Sequence, residues 1–286
     1  MIKNVYCLGT SHTRGGGFHD SQKVQTIYKN IVDRPSMDTL SWPGIMQSLN
    51  KNIKVHNLAE CGAGNERMYR LVFDIISSYD FNKDDSLFLL EPSNFDRKEF
   101  WSNTIDDYVI CNYSSSDPSS TSNFDVVKRY YEKQIPGIPK KLYYDFLQET
   151  VNFEDITRKI QMNLLFFFTF LTHFGINFKI IHNYQLLAPG QQKYNKFETI
   201  SYNVDGKEVD SYYSIASFEK YTIADETNFI INDEHQGYFI NNIVARTIYN
   251  QLIKEKLITG NILDIKNRKK DFIEFKESLD LRAKLI

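Results

Sequence analysis

Four short stretches of the chain carry residue types that can do acyl chemistry. The first is Gly9-Thr10-Ser11, which ends the apolar run at residues 3–8 and offers a hydroxyl at a tight turn. The last is Asp233-Glu234-His235, a carboxylate and an imidazole two positions apart. Between them lie the glycine turn Cys61-Gly62-Ala63-Gly64 and the tetrapeptide Glu91-Pro92-Ser93-Asn94. A serine hydroxyl becomes a nucleophile when a base within hydrogen-bond reach accepts its proton. Histidine suits that task because its pKa lies near working pH. The imidazole needs an acceptor behind it to fix its tautomer and stabilise the imidazolium. In an extended segment residues i and i+2 point the same way, so the Asp233 carboxylate can reach the His235 ring. The oxyanion needs donors, and the backbone N–H groups at Ser11 and Gly62 with the Asn94 amide are the candidates. Losing one such donor costs about 2.7–4 kcal/mol of transition-state stabilisation. His12 and Arg14, beside the serine, are candidates for substrate contact.

Each of these stretches follows a segment that reads as a strand. Strands are expected at residues 3–8, 53–58, 86–91, 177–183 and 228–231. The third is an unbroken apolar run, as in a parallel strand covered on both faces. A polar, glycine-rich loop is expected over 9–21, then mostly helix over 22–50, with Ser41-Trp42-Pro43 opening the helix that ends near Leu49. Further helices are expected at 66–79, with apolar spacing at Met68, Leu71, Val72, Ile75 and Ile76, and at 154–174, stopping at Gly175. Another opens at Asp233 and runs to about residue 256. Alternating strand and helix argue for a parallel sheet with helices on both faces. All strand C-terminal ends then share one edge, where such folds bind ligands, so the four stretches converge.

Residues 100–150 and 188–222 break the rhythm and read as insertions, the first with some helix. Loops at this edge carry function, so both are expected to roof the cleft and set specificity. Residues 257–286 read as a charged helical tail with Phe272, Phe275 and Leu279 on one side. Such helices usually pack on their own domain, and a homo-oligomer contact is the minority alternative. With no internal repeat and no clean linker, residues 1–286 read as a single domain.

Composition narrows the classes. The 286 residues suffice for a substantial core. Hydrophobic residues make up 42 % and charged residues 24 %, which is ordinary globular usage. A net charge of -2 offers no basic field for a nucleic-acid partner. Cys7, Cys61 and Cys111 are odd in number and form no Cys-x-x-Cys or Cys/His cluster, so neither a disulfide framework nor a metal site is expected. No cofactor is implied. This cysteine usage fits a reducing compartment or a particle assembled in one, so a cytoplasmic or virion-associated location is expected. The N-terminus reads as a strand and not as a signal peptide. The longest apolar run, 164–171, is too short for a transmembrane segment, so no membrane partner is expected.

Together, Gly9-Thr10-Ser11, residues 57–62, Glu91-Pro92-Ser93-Asn94 and Asp233-Glu234-His235 resemble the four blocks of the SGNH (GDSL-like) hydrolases. Ser41-Trp42-Pro43, residues 57–62 and Asn65-Glu66-Arg67 are further similar to a subgroup common in phages and environmental bacteria. Thr10 stands where the family usually has Asp, and Glu91-Pro92-Ser93-Asn94 where it usually has Gly-x-Asn-Asp. The resemblance implies a flavodoxin-like three-layer α/β/α sandwich with a five-stranded parallel sheet, the SGNH hydrolase fold. It implies a serine esterase in which Ser11 is nucleophile and first oxyanion donor, Gly62 and Asn94 complete the oxyanion hole, His235 is the base and Asp233 orients it. By family habit the substrate is a small-molecule or polysaccharide ester, such as an O-acetyl group on a carbohydrate.

Plainer roles compete for the same residues. Ser11 also fits a turn or helix cap, Gly62 a positive-φ position, Asn94 an N-cap, and Asp233 the cap of the helix after it. The Walker pattern, the dinucleotide glycine motif and the Gly-x-Ser-x-Gly elbow are absent. The competing functional class is a glycan-binding or virion structural protein on the same scaffold, without turnover. A third is a nucleotide binder holding phosphate at residues 9–17.

Overall fold

Alternate side chains of the central strands enter two different cores, and that alternation fixes the layers. The computed structural model describes residues 1–15, 39, 41–60, 63–93, 97–102, 107–112, 153–181, 197–200, 203–204, 207–208 and 238–263. Along the chain lie β1 (Asn4–Leu8), the single helical turn α1 (Ser11–Arg14), α2 (Trp42–Leu49), β2 (Lys54–Asn57), α3 (Asn65–Ile76) and β3 (Ser86–Leu90). The hairpin strands β4 (Arg97–Ser102) and β5 (Asp107–Asn112) follow, then α4 (Phe153–His173) and β6 (Phe178–Ile181). The short strands β7 (Thr199–Ile200), β8 (Asn203–Val204) and β9 (Lys207–Glu208) precede α5 (Tyr238–Lys254).

Val5, Cys7, Leu87 and Leu89 belong to one core, covered by Trp42 and Met46 of α2 and Val244, Ile248 and Leu252 of α5. Leu8, Phe88, Leu90 and Ile180 belong to the other, covered by Met68 and Val72 of α3 and Leu164, Phe168 and Leu171 of α4. β3 is buried along its whole length because both faces are covered. Phe88 and Phe168 are fully buried, and truncating such a ring to alanine costs about 3–5 kcal/mol.

The sheet order is β2-β1-β3-β6-β7, with every pairing parallel. The order reverses between β1 and β3. The crevice outside the carboxyl ends of two such strands is where open α/β sheets take ligands.

Two contacts orient the helices on the first core. At the carboxyl edge, the Trp42 backbone N–H donates to Asn241 Oδ1 at 2.9 Å. At the opposite edge, the Ile2 N–H donates to the Leu257 carbonyl at 2.9 Å. Helix α5 therefore starts at the carboxyl edge and ends at the amino edge, antiparallel to β1. Helix α2 has Pro43 in its first turn, where the missing N–H is harmless. Its N-cap, Ser41, makes no side-chain cap bond. Asn241 instead satisfies one of the orphan donors that every helix start carries.

The strands expected at 3–8, 53–58, 86–91 and 177–183 are β1, β2, β3 and β6. The helices expected near Leu49, at 66–79 and at 154–174 are α2, α3 and α4, and Gly175 closes α4 with φ +64°. The expected strand at 228–231 lies outside the described residues. The place beside β6 is taken by β7, from inside the stretch read as the second insertion. Two residues are too few to show a period. The described part of the first insertion is the antiparallel hairpin β4–β5, not helix. The loop expected over 9–21 opens instead with α1, which a long-range partner holds. Residues 257–263, expected to begin the helical tail, are not helical. They fold back so that Asn50 Nδ2 donates to the Thr259 carbonyl at 2.9 Å and the Leu263 N–H donates to Asn250 Oδ1 at 2.8 Å. Residues 264–286 lie outside the described residues. No described helix is long and apolar enough to cross a membrane.

Candidate active site at the carboxyl ends of β1 and β3

Strand β1 delivers Ser11 through Gly9 and Thr10 to the crevice where the sheet order reverses. Ser11 opens α1, and the Arg14 N–H donates to the Thr10 carbonyl at 3.0 Å to close the turn. Ser11 is 9 % exposed, at the boundary between buried and accessible. Gly15, at φ +83°, ends the turn in the left-handed region that favours glycine.

A buried carboxylate holds this turn. Glu91, directly after β3, accepts the Thr10 hydroxyl on Oε1 at 3.1 Å. Its Oε2 accepts the Thr13 N–H at 3.0 Å and also the Thr13 hydroxyl. The Glu91 N–H donates to the Leu8 carbonyl at 2.8 Å, continuing the β1–β3 ladder past its last pair. Gly9 is required for this approach. A Cβ there would sit 2.6 Å from Glu91 Oε2 and 2.7 Å from Glu91 Cβ.

The end of β2 supports the same turn from the other side. Asn57 Nδ2 donates to the Thr13 carbonyl at 3.4 Å and to Ser41 Oγ at 3.3 Å. The Leu58 N–H donates to the Cys7 carbonyl at 2.9 Å and the Glu60 N–H to the Gly9 carbonyl at 3.4 Å. The chain thus runs beside the end of β1 up to Glu60, two residues before Gly62. Gly62 itself lies outside the described residues.

Asn65, the first residue of α3, clasps the residue before Asn94. Its Nδ2 donates to the Ser93 carbonyl at 2.8 Å, and its Oδ1 accepts the Ser93 N–H at 2.7 Å. Both Asn65 and Ser93 are buried. Asn94 lies outside the described residues. So do Asp233 and His235, but the helix that follows them starts at this edge. His12 lies within α1, and Arg14 in the same turn is buried.

The hairpin β4–β5 docks against the first half of α3. Arg70 forks onto Glu99 with Nε to Oε2 at 2.8 Å and Nη2 to Oε1 at 3.0 Å. Arg67 Nη1 adds a contact to Glu99 Oε1 at 3.4 Å, and the Glu99 N–H donates to Glu66 Oε2 at 3.0 Å. Charge-assisted, two-pronged pairs of this kind fix geometry as well as adding energy. The hairpin therefore rises from the edge that bears Ser11.

Cys7 stands near Ser11 in sequence, yet burial pushes its thiol well above its ordinary range. A thiol so placed is a weak nucleophile, which leaves the serine as the reactive candidate of this strand end.

Sequence reasoning assigned no role to Thr13 and gave Asn57, Asn65 and Glu91 none beyond membership of a motif. One signal was available for Glu91. It is a carboxylate placed directly after the apolar run of residues 87–90. Such a group is retained in a core only with partners.

No protein-family model matches this chain, and no curated protein matches it. Among solved structures the chain is similar to a member of the lipolytic protein G-D-S-L family from Veillonella parvula, at 11 % identity over 86 % of this chain and 96 % of that one, with a TM-score of 0.41.

Proposed function

We propose that this chain is a serine ester hydrolase of the SGNH type, with Ser11 as nucleophile. The observation that carries the reading is the meeting, at one sheet edge, of the Ser11 turn, the segment leading to Gly62, the residue before Asn94 and the first turn of α5. In the proposed reaction, Ser11 Oγ attacks the acyl carbon while His235 accepts its proton and Asp233 steadies the imidazolium. N–H groups at Ser11 and Gly62 and the Asn94 amide hold the oxyanion. Collapse expels the alcohol, which takes its proton from His235. Water, deprotonated by the same histidine, then releases the acid and restores the serine.

The substrate we propose is an O-acyl ester on a carbohydrate, with the hairpin β4–β5 as one wall of its cleft. Asn57, Ser41 and Asn65, which motivate the phage-common subgroup, all make hydrogen bonds that frame this edge.

The test is direct. Ser11→Ala abolishes p-nitrophenyl acetate hydrolysis while the protein stays folded, and a fluorophosphonate labels Ser11 in the parent. Unchanged turnover in the variant, or an adduct on another serine, removes the assignment. Glycan binding with no turnover in the parent favours the binding-protein alternative.

A further inference from the structure

We propose that Glu91 is a positioning residue for the Ser11 nucleophile, acting through Thr10 and Thr13. The inference rests on the esterase reading and adds to it a residue outside the four blocks' chemical roles.

The geometry is specific. Glu91 uses both carboxylate oxygens, and three donors to them bracket the serine: the Thr10 hydroxyl one residue before, and the Thr13 N–H and hydroxyl two residues after. A one-turn helix of four residues is unstable in isolation and depends on such tertiary anchors. The backbone N–H proposed as oxyanion donor and the Oγ proposed as nucleophile both belong to the residue between these anchors. Their directions are set by where Thr10 and Thr13 are held.

The environment makes the arrangement stiff. Glu91 is 2 % exposed, Thr10 3 % and Thr13 0 %. A carboxylate withdrawn from water is costly unless its oxygens are hydrogen-bonded. Once bonded, it forms contacts roughly twice as strong as neutral ones. Gly9 completes the device, since any side chain there would collide with the Glu91 carboxylate and Cβ. The carboxylate is tied to threonines by both oxygens, so its part is to hold the turn. The proton is handled by His235.

The experiment uses the full chain and follows the second-order rate of fluorophosphonate labelling at Ser11, with kcat and KM for p-nitrophenyl acetate alongside. Glu91→Gln keeps the shape and removes one acceptor. Thr10→Val removes a single donor, and Thr10→Ser restores it. The expected result is a labelling rate and kcat lowered about 10- to 100-fold in Glu91→Gln, the scale of a misplaced reacting group, with KM little changed. Thr10→Val falls in the same direction, and Thr10→Ser returns to near the parent. Variants that melt earlier but label and turn over at the parental rate overturn the proposal and leave the esterase reading intact. A parent that is neither labelled at Ser11 nor active on the ester overturns both.

Discussion

Asn241, in the first turn of α5, caps Trp42, the first residue of α2, through a 2.9 Å hydrogen bond from the Trp42 N–H to its side-chain carbonyl. Both residues are fully buried. The bond ties the beginning of α5 to the beginning of α2. Next to it, Ser41 is bonded to Asn57, and Asn57 to the Thr13 carbonyl of the α1 turn. A short run of polar contacts therefore connects the helix after His235 to the turn that bears Ser11.

Removing the cap has a calculable cost. Asn241→Ala leaves the Trp42 N–H buried without its partner, which destabilises by about 1–3 kcal/mol. Urea unfolding of the variant reads this directly. Ester turnover per folded molecule falls as well, because the same bond anchors the start of α5. An unfolding midpoint equal to the parent's would show that the cap contributes nothing.

The Asn65–Ser93 clasp makes a second prediction. If Asn94 supplies an oxyanion donor, Asn65 acts through it, by fixing the backbone one residue upstream. Asn94→Ala should cost up to about 2.7–4 kcal/mol of transition-state stabilisation. Asn65→Ala should cost part of that, and the double variant no more than Asn94→Ala alone. Kinetics of the two single variants and the double variant give the coupling. Strictly additive losses would mean that the two asparagines act independently.

The legible parts of the fold were those with a strong local signal. The unbroken apolar run of β3 and the 3.6-residue spacing of α3 predicted their elements and their packing. The parts that were not legible depend on distant partners. The α1 turn is held by Glu91, and the β4–β5 hairpin is anchored by Arg70 on Glu99. No window of neighbouring residues contains either pair. The candidate site divides in the same way. Ser11 is a candidate legible from its place after an apolar strand, whereas the contacts of Glu91, Thr13 and Asn57 are bonds that only the folded chain creates. Thr10 and Glu91, the two positions at which the sequence departs from the blocks it otherwise resembles, are hydrogen-bonded to each other.

Gly9→Ala tests the close approach of β1 to Glu91. The added Cβ would lie 2.8 Å from Thr13 Oγ1 and 2.7 Å from Glu91 Cβ. The latter atom adjoins the backbone and cannot swing aside. Overpacking of this kind costs about 1–3 kcal/mol. Calorimetry should show a lowered melting temperature, and Ser11 labelling should slow because the turn must shift. A variant with parental stability and labelling rate would show that the Glu91 contact yields freely.

His56 gives a pH dependence whose sign is fixed. Its ring stacks on Tyr6 with centroids 4.7 Å apart, and burial, reinforced by the Lys54 charge, lowers its pKa from the usual value. An unfolded histidine titrates near 6.5. Between the folded value and that one, the unfolded chain binds more protons than the folded chain, so stability rises with pH. The contribution is complete above the unfolded value and is lost as the pH falls through that window. His56→Phe keeps a ring against Tyr6 and removes the proton site. Melting temperatures of parent and variant should therefore diverge in the variant's favour as pH is lowered from about 7 towards 5. Parallel curves over that range would show that the imidazole has the same proton affinity in both states, and the burial argument for this ring would fail.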